Sequence, residues 1–241
     1  RMLEAMGADI SVCNEGGFRV VTLCGQPELT PLSIDVPGDI SSAAFVLAAA
    51  AMVPDSDVTI KGVGLNPLRT GIIGALTAMG ADIRVNNERD LGGEPVADLR
   101  VVYRPLRALS ALPVDPSTMI DEFPVLFCVA ATLEGASRFT GLAELRVKES
   151  DRLAVMARGL RANGVHVEEL PDGLLVHGAA GRIPGGGIVE SHLDHRIAMS
   201  FAVLGLMAHS PITIDDASPI QTSFPSFMGL MVSLGAQLME E

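Results

Sequence analysis

Four short runs of this chain repeat one another: Met6-Gly7-Ala8-Asp9-Ile10, Met79-Gly80-Ala81-Asp82-Ile83, Asn163-Gly164-Val165-His166-Val167 and Leu234-Gly235-Ala236-Gln237-Leu238. Their glycines recur every 71 to 84 residues. Each follows an amphipathic segment and precedes an alternating one, the pattern of a helix stopped by a glycine and continued by a strand. A period this long exceeds that of a solenoid repeat and holds enough helix and strand for a subdomain.

Upstream of the last three glycines the same events recur in the same order. Polar starts at Gly38-Asp39-Ile40-Ser41-Ser42, Met119-Ile120-Asp121-Glu122 and Leu193-Asp194-His195-Arg196 lead into apolar helices at Ala43–Val53, Val125–Thr132 and Ile197–Ala208. These helices are apolar on most faces, which places them in the core. Strands follow at Val58–Lys61, Ser137–Thr140 and Ile212–Ile214, and the loops after them carry Asn66-Pro67, the Lys148 cluster and Thr222-Ser223. The expected architecture is α/β (α+β), with βαβαββ-like units spanning roughly 38–110, 119–180 and 193–241. Three copies about a pseudo-threefold axis bring equivalent helix N-termini to one end, where unpaired N–H groups favour phosphate.

Composition narrows the ligand. The chain has 241 residues, 48% of them hydrophobic, and a net charge of −12. That charge, with one Tyr and no Trp, argues against nucleic acid and anionic membrane surfaces. The longest apolar stretch, Ala43–Val53, is too short to span a bilayer, and no signal peptide is recognisable. Cys13, Cys24 and Cys128 have neither metal-ligand spacing nor an even count, which points to reduced thiols in a cytoplasmic setting. The five His lack ligand spacing and no Gly-rich dinucleotide turn follows a strand, so no metal or organic cofactor is expected.

An anion must therefore be met by local cations, and one cluster stands out. Arg146-Val147-Lys148-Glu149-Ser150-Asp151-Arg152 holds three cations and two carboxylates, and Lys148 is one of only two lysines in the chain. A solvated helix start with surface ion pairs would account for the charges alone. Its position between a strand and a helix suits an anionic ligand better.

Leu145-Arg146-Val147-Lys148-Glu149-Ser150-Asp151-Arg152-Leu153 resembles the signature of the 5-enolpyruvylshikimate-3-phosphate (EPSP) synthase family. Val36 to Phe45, Asn66 to Gly71, Ile120 to Pro124 and Leu193 to Ser200 resemble further family blocks, in family order. The wording is most similar to the class II, often glyphosate-tolerant, bacterial branch. The resemblance implies an enolpyruvyl transferase-like inside-out α/β barrel, in which family members have two domains of three repeats each. By that likeness this chain is the C-terminal half or so: residues 1–36 finish the middle-chain domain, a hinge crosses near Pro37, and 37–241 form the C-terminal domain.

The implied activity is that of 3-phosphoshikimate 1-carboxyvinyltransferase. It moves enolpyruvyl from phosphoenolpyruvate to the 5-hydroxyl of shikimate 3-phosphate and releases phosphate, in aromatic amino acid biosynthesis. Asp121 matches the carboxylate that binds shikimate 3-phosphate and takes the hydroxyl proton, although its place before an apolar helix also suits an N-cap. Lys148 matches the lysine near that hydroxyl, and Glu149 the acid that shuttles a proton to carbon. Arg152 and Arg196 match the arginines that grip phosphoenolpyruvate; an exposed pair between Arg196 and Asp194 is the plainer alternative for the latter. Thr222 stands where many class I members carry a lysine, so no cationic contact is expected from that loop. The remaining alternatives are a non-catalytic half that needs the missing N-terminal part, and UDP-N-acetylglucosamine enolpyruvyl transferase, whose motifs lack the Lys-Glu-Ser-Asp-Arg-Leu block.

Overall fold

A computed structural model describes residues 1–239. Gly7, Gly80, Gly164 and Gly235 have φ of +97°, +106°, +81° and +102°, a region that costs an L side chain but not glycine. In each case the amide after the glycine reaches the carbonyl five residues back: Ala8 to Leu3, Ala81 to Leu76, Val165 to Leu160 and Ala236 to Met231. That is the six-to-one bond of a Schellman stop, so all four predicted helix ends form.

In chain order the elements are α1 (Met2–Ala5), β1 (Ile10–Glu15), β2 (Phe18–Leu23), α2 (Ile40–Met52), β3 (Asp57–Gly64), α3 (Gly71–Met79), β4 (Asp82–Leu91) and β5 (Glu94–Val102). Then follow α4 (Phe123–Ala131), β6 (Glu134–Phe139), α5 (Arg152–Ala162), β7 (His166–Leu170), β8 (Gly173–Ala179), β9 (Ile183–Gly185) and β10 (Ile188–Val189). The chain continues through α6 (His195–Gly205), β11 (Ala208–Ser210), β12 (Thr213–Ile214), α7 (Ile220–Ser223) and α8 (Phe227–Ser233). No helix among the described residues is long and apolar enough to cross a membrane.

Two units are built alike. The first forms an antiparallel sheet ordered β3-β5-β4 and the second one ordered β6-β8-β7. A strand-like lead-in precedes each central helix. Gly38 bridges Val63 in parallel before α2, the Leu109 carbonyl accepts the Arg138 amide before α4, and β10 pairs with β12 in parallel around α6. The third unit departs from expectation. Its β11 and β12 are partnered by β9 and β10 from the preceding segment, and no strand follows Gly235 among the described residues. A strand is held by its partner's ladder, and Ala236 to Met239 have none.

The core lies between the central helices. Every residue of α4, and all of α2 except Ser42, is buried, as expected for helices that are apolar all round. Phe123, Phe127 and Phe139 pack edge-on or tilted at centroid separations of 5.3 to 6.2 Å, locking α4 onto β6. The sheets lie outside the helices, which is the inside-out arrangement the resemblance implies, and no sheet closes on itself among the described residues. Cys128 is buried in α4, while Cys13 and Cys24 are exposed on or beside the β1–β2 hairpin; all three are free thiols.

Candidate active site

The loop between β6 and α5 is shaped before it reaches the site. Gly141 turns the chain at φ +79°, and its amide donates to Asp172 Oδ2 at 2.8 Å. A 3₁₀ turn over Ala143–Val147 follows, anchored by the buried Leu145. Arg146 then clamps the loop to the β7–β8 turn, donating to the carbonyls of Leu170 (2.7 Å) and Pro171 (2.8 Å) and to Glu169 and Asp151 (3.0 Å each). Asp151 also caps α5 by accepting the Ala154 amide at 3.0 Å. Two of the cluster's five charges are thus structural staples.

The other three converge. The Arg152 side chain is only 1% exposed, and its donors fan out to three carboxylates. Nε donates to Asp194 Oδ2 at 2.8 Å, Nη1 to Asp121 Oδ1 at 2.9 Å, and Nη2 to Glu149 Oε2 at 2.5 Å and Asp194 Oδ1 at 3.3 Å. Lys148 Nζ lies 2.6 Å from Glu144 Oε1 and 3.5 Å from Asp121 Oδ1. Arg196 Nη1 donates to the Asp121 carbonyl at 3.2 Å and lies 3.6 Å from Glu122 Oε1. All five residues anticipated from sequence, Asp121, Lys148, Glu149, Arg152 and Arg196, therefore meet where the N-terminal ends of α4, α5 and α6 come together.

Two expectations about local roles change. Asp121 caps nothing: it sits in a 3₁₀ turn, Glu122 occupies the N-cap of α4 without a side-chain bond, and the Asp121 carboxylate faces Lys148 and Arg152. Arg196 does not pair with Asp194 through its side chain. Asp194 accepts the Arg196 backbone amide at 3.0 Å and spends its charge on Arg152, because a fully buried carboxylate needs a fully buried cation. The equivalent loop of the first unit behaves similarly, with Arg69 Nη2 donating to Ser41 Oγ at 3.0 Å and to Asp39 at 3.3 Å by the start of α2.

The sequence reading missed four contributors. Asp194 read as a polar helix start, while Ser150 (Oγ to Asp194 Oδ2, 3.0 Å) and Glu144 (Oε1 to Lys148 Nζ, 2.6 Å) were given no role. Glu122 is buried with Oε1 lacking a hydrogen-bond partner. The sequence offered little signal for Asp194, because a carboxylate at a helix start two residues before Arg196 reads as a local ion pair, and only the fold brings Arg152 to it.

The electrostatics follow from these contacts. Burial works to raise the Asp121 carboxyl, but Arg196, Lys148 and Arg152 overcome it and hold the group below the usual carboxylate range. The hydrogen bond from Lys148 to Glu144, aided by Asp121, raises the ammonium against the effect of burial. Burial lifts the Glu122 carboxyl above its ordinary value, and burial followed by Arg196 lowers the His195 imidazole. Asp121 is thus an ionised acceptor beside a protonated Lys148, an arrangement able to receive a hydroxyl proton and to stabilise the oxygen that loses it.

The family model for EPSP synthase (3-phosphoshikimate 1-carboxyvinyltransferase) matches residues 1–231. The chain is 55% identical over 238 residues to the 3-phosphoshikimate 1-carboxyvinyltransferase of Parvibaculum lavamentivorans, covering 98% of this chain and 52% of the relative. It is 53% identical over 236 residues to that of Sphingopyxis alaskensis, covering 97% of this chain and 53% of the relative. An EPSP synthase structure from Acinetobacter baumannii superposes with a TM-score of 0.91 at 45% identity, over 98% of this chain and 54% of that one. The enolpyruvyl transferase NikO from Streptomyces tendae shares the fold at a TM-score of 0.71 and 19% identity, over 97% of this chain and 51% of that one. The chain spans about half the length of the curated relatives it matches. With matches of this extent, and the signature loop folded onto the N-terminal ends of α4 and α6, the chain belongs to the EPSP synthase family.

Proposed function

We propose that this chain supplies the C-terminal part of a 3-phosphoshikimate 1-carboxyvinyltransferase (EC 2.5.1.19), acting in the cytoplasm on shikimate 3-phosphate and phosphoenolpyruvate. The observation that carries the reading is the Arg152 hub, which ties Asp121 of the second unit, Glu149 of the signature loop and Asp194 of the third unit into one polar centre. In the proposed reaction the 5-hydroxyl oxygen bonds to C2 of phosphoenolpyruvate while its proton passes to Asp121. The methylene carbon gains a proton from Glu149, giving a tetrahedral adduct. Loss of a proton from the new methyl group and cleavage of the C–O bond to phosphate then leave the enolpyruvyl ether. Lys148 stabilises the reacting oxygen, and Arg152 and Arg196 hold phosphoenolpyruvate, forked guanidiniums suiting its carboxylate and phosphate.

The charge balance favours a second element of the reading: this chain works as one side of a clamp. Lys148, Arg152 and Arg196 face five carboxylates, those of Asp121, Glu122, Glu144, Glu149 and Asp194. An anion that reaches Arg152 must displace Glu149, which at 52% exposed is free to swing, and needs further cations to outweigh the remaining carboxylates. Those cations are assigned to the part of the enzyme beyond this chain, with residues 1–36 completing the neighbouring domain and a hinge near Pro37. The isolated chain then folds without turning over.

The test is phosphate release from the two substrates by this chain, alone and with the part of the Parvibaculum lavamentivorans relative that it does not match supplied in trans. Turnover that needs the added part and falls at least about a hundredfold in Asp121→Ala is expected. An assembled pair that releases no phosphate would overturn the assignment.

A further inference from the structure

The β6-β8-β7 sheet carries a second cluster of chemistry on the face opposite α4 and α5. Val167 and Val176 are buried against the helices, so the residues alternating with them point outward. His166 and His177 stand directly opposite each other across the β7–β8 pair, with ring centroids 4.4 Å apart and planes tilted by 31°. Glu168, two residues along β7 on the same face, meets His177 Nε2 at 2.9 Å through Oε1. One potential ligand atom from each of the three lies within 4.8 Å of the other two.

We propose that His166, Glu168 and His177 form a surface binding site for a divalent transition-metal ion of the Zn²⁺ class, a clip joining β7 to β8. Imidazole and carboxylate are the donors such ions prefer among non-thiolate ligands, and three of them leave a fourth position for water. Bonds of about 2.0–2.1 Å place tetrahedral ligand atoms roughly 3.3 Å apart, so closure around an ion asks for side-chain rotation within exposed rotamers and no backbone shift. The strands already fix the three Cβ positions, which limits the ordering cost. Ala136 of β6 lies opposite His177 and leaves its approach open, with Glu134 and Arg138 on either side contributing opposite charges. The chain's net charge of −12 raises the local concentration of cations around the whole molecule. A count along the sequence hides the site, because its two imidazoles are eleven positions apart and only the hairpin register brings them together.

The experiment is calorimetric titration of the chain with Zn²⁺ at pH 7.5, in a Cys13→Ser, Cys24→Ser background that removes the exposed thiols. One ion per chain is expected, with affinity falling at least about tenfold in His166→Ala and in His177→Ala and less in Glu168→Gln. A rise in Tm on adding Zn²⁺ is expected to disappear with either His variant while His209→Ala keeps it. These positions face solvent, so circular dichroism of each variant without metal should match the parent. Absence of a saturable site, or a site of undiminished affinity in both His variants, would overturn the proposal and leave the trio as a hydrogen-bonded stack.

Discussion

Arg152 is a buried cation that exists only because buried and half-buried carboxylates surround it, and this coupling sets what single substitutions do. Burial by itself would raise the Asp194 carboxyl, but bonds from Arg152, Ser150 and the Arg196 amide hold it below its ordinary value. A depressed folded-state value means the stabilisation is complete above the unfolded value of about 3.9 and is lost as pH falls through the folded one. Asp194→Asn keeps an acceptor for the helix cap but strands the guanidinium, so a loss of roughly 3–5 kcal/mol in urea unfolding is expected from pH 5 to 8, shrinking below about pH 4. A deficit that stays constant down to pH 3 would show that the charge of Asp194 is not what matters. Glu122 behaves oppositely. Burial raises its carboxyl and Oε1 finds no donor, so its ionised form is held at a cost above the folded-state value, and that cost fades as pH falls. Glu122→Gln should therefore unfold at higher urea than the parent at pH 8, by about 1 kcal/mol, with the two converging near pH 4. An unchanged midpoint at pH 8 would mean the charge of Arg196, 3.6 Å away, already offsets that cost.

At the scale of elements, the sequence showed most where backbone and periodicity act locally. The glycine stops were readable because only a left-handed residue ends a helix in that way, and α2, α4 and α6 because runs such as Ala43–Val53 have no polar face to expose. Their starts came two or three residues earlier than the apolar runs suggested: Asp39 and Asp194 cap α2 and α6 from polar positions, and α4 opens at Phe123-Pro124 with no side-chain cap. The parallel pairing of β9 and β10 with β11 and β12 was not legible, because segments of two or three residues carry no periodicity. The candidate site residues came from the family motif, and charge and spacing alone do not separate Arg146, which staples a loop, from Arg152, which ties three carboxylates together. The α5–α6 contact shows the same limit. Gly159 looks like a weak point in a helix, and replacing it by Ala would ordinarily add up to about 1 kcal/mol. Here a Cβ would run into the ring of Phe201, which is fully buried and cannot retreat. Gly159→Ala is expected to lower stability by roughly 1–3 kcal/mol, read as the urea midpoint, and Gly159→Ala with Phe201→Leu to recover part of it. A stabilised Gly159→Ala would show that the two helices can separate at little cost.

On the scale of the whole molecule, the chain divides by where its apolar residues go. From Gly38 onward they fill a continuous core around the three central helices, whereas Ala8 is the only buried apolar residue in the first 36. The β1–β2 hairpin shows solvent both faces, with Phe18 75% and Val21 62% exposed, and an ion pair from Arg1 to Glu94 is among the few ties between this segment and the rest. A two-stranded hairpin without a packed face is marginal in water, so its apolar side chains fit a segment that completes its core against other residues. The division at Gly38 is itself physical: the Gly38 amide donates to the Gly62 carbonyl and the Gly64 amide to the Gly38 carbonyl, both at 2.8 Å, pinning the chain to β3 just before α2 begins. Hydrogen exchange of the chain alone should therefore find the amides of β1 and β2 exchanging within seconds at neutral pH, while those of α2, α4 and α6 exchange only through global unfolding. Adding the complementary part of a relative should protect β1 and β2 by at least about a hundredfold and leave the central helices nearly unchanged, because their core is already complete. Protection of the hairpin equal to that of α4 in the chain alone would mean that residues 1–36 belong to the same cooperative unit as the rest, and would overturn the proposed domain boundary near Pro37.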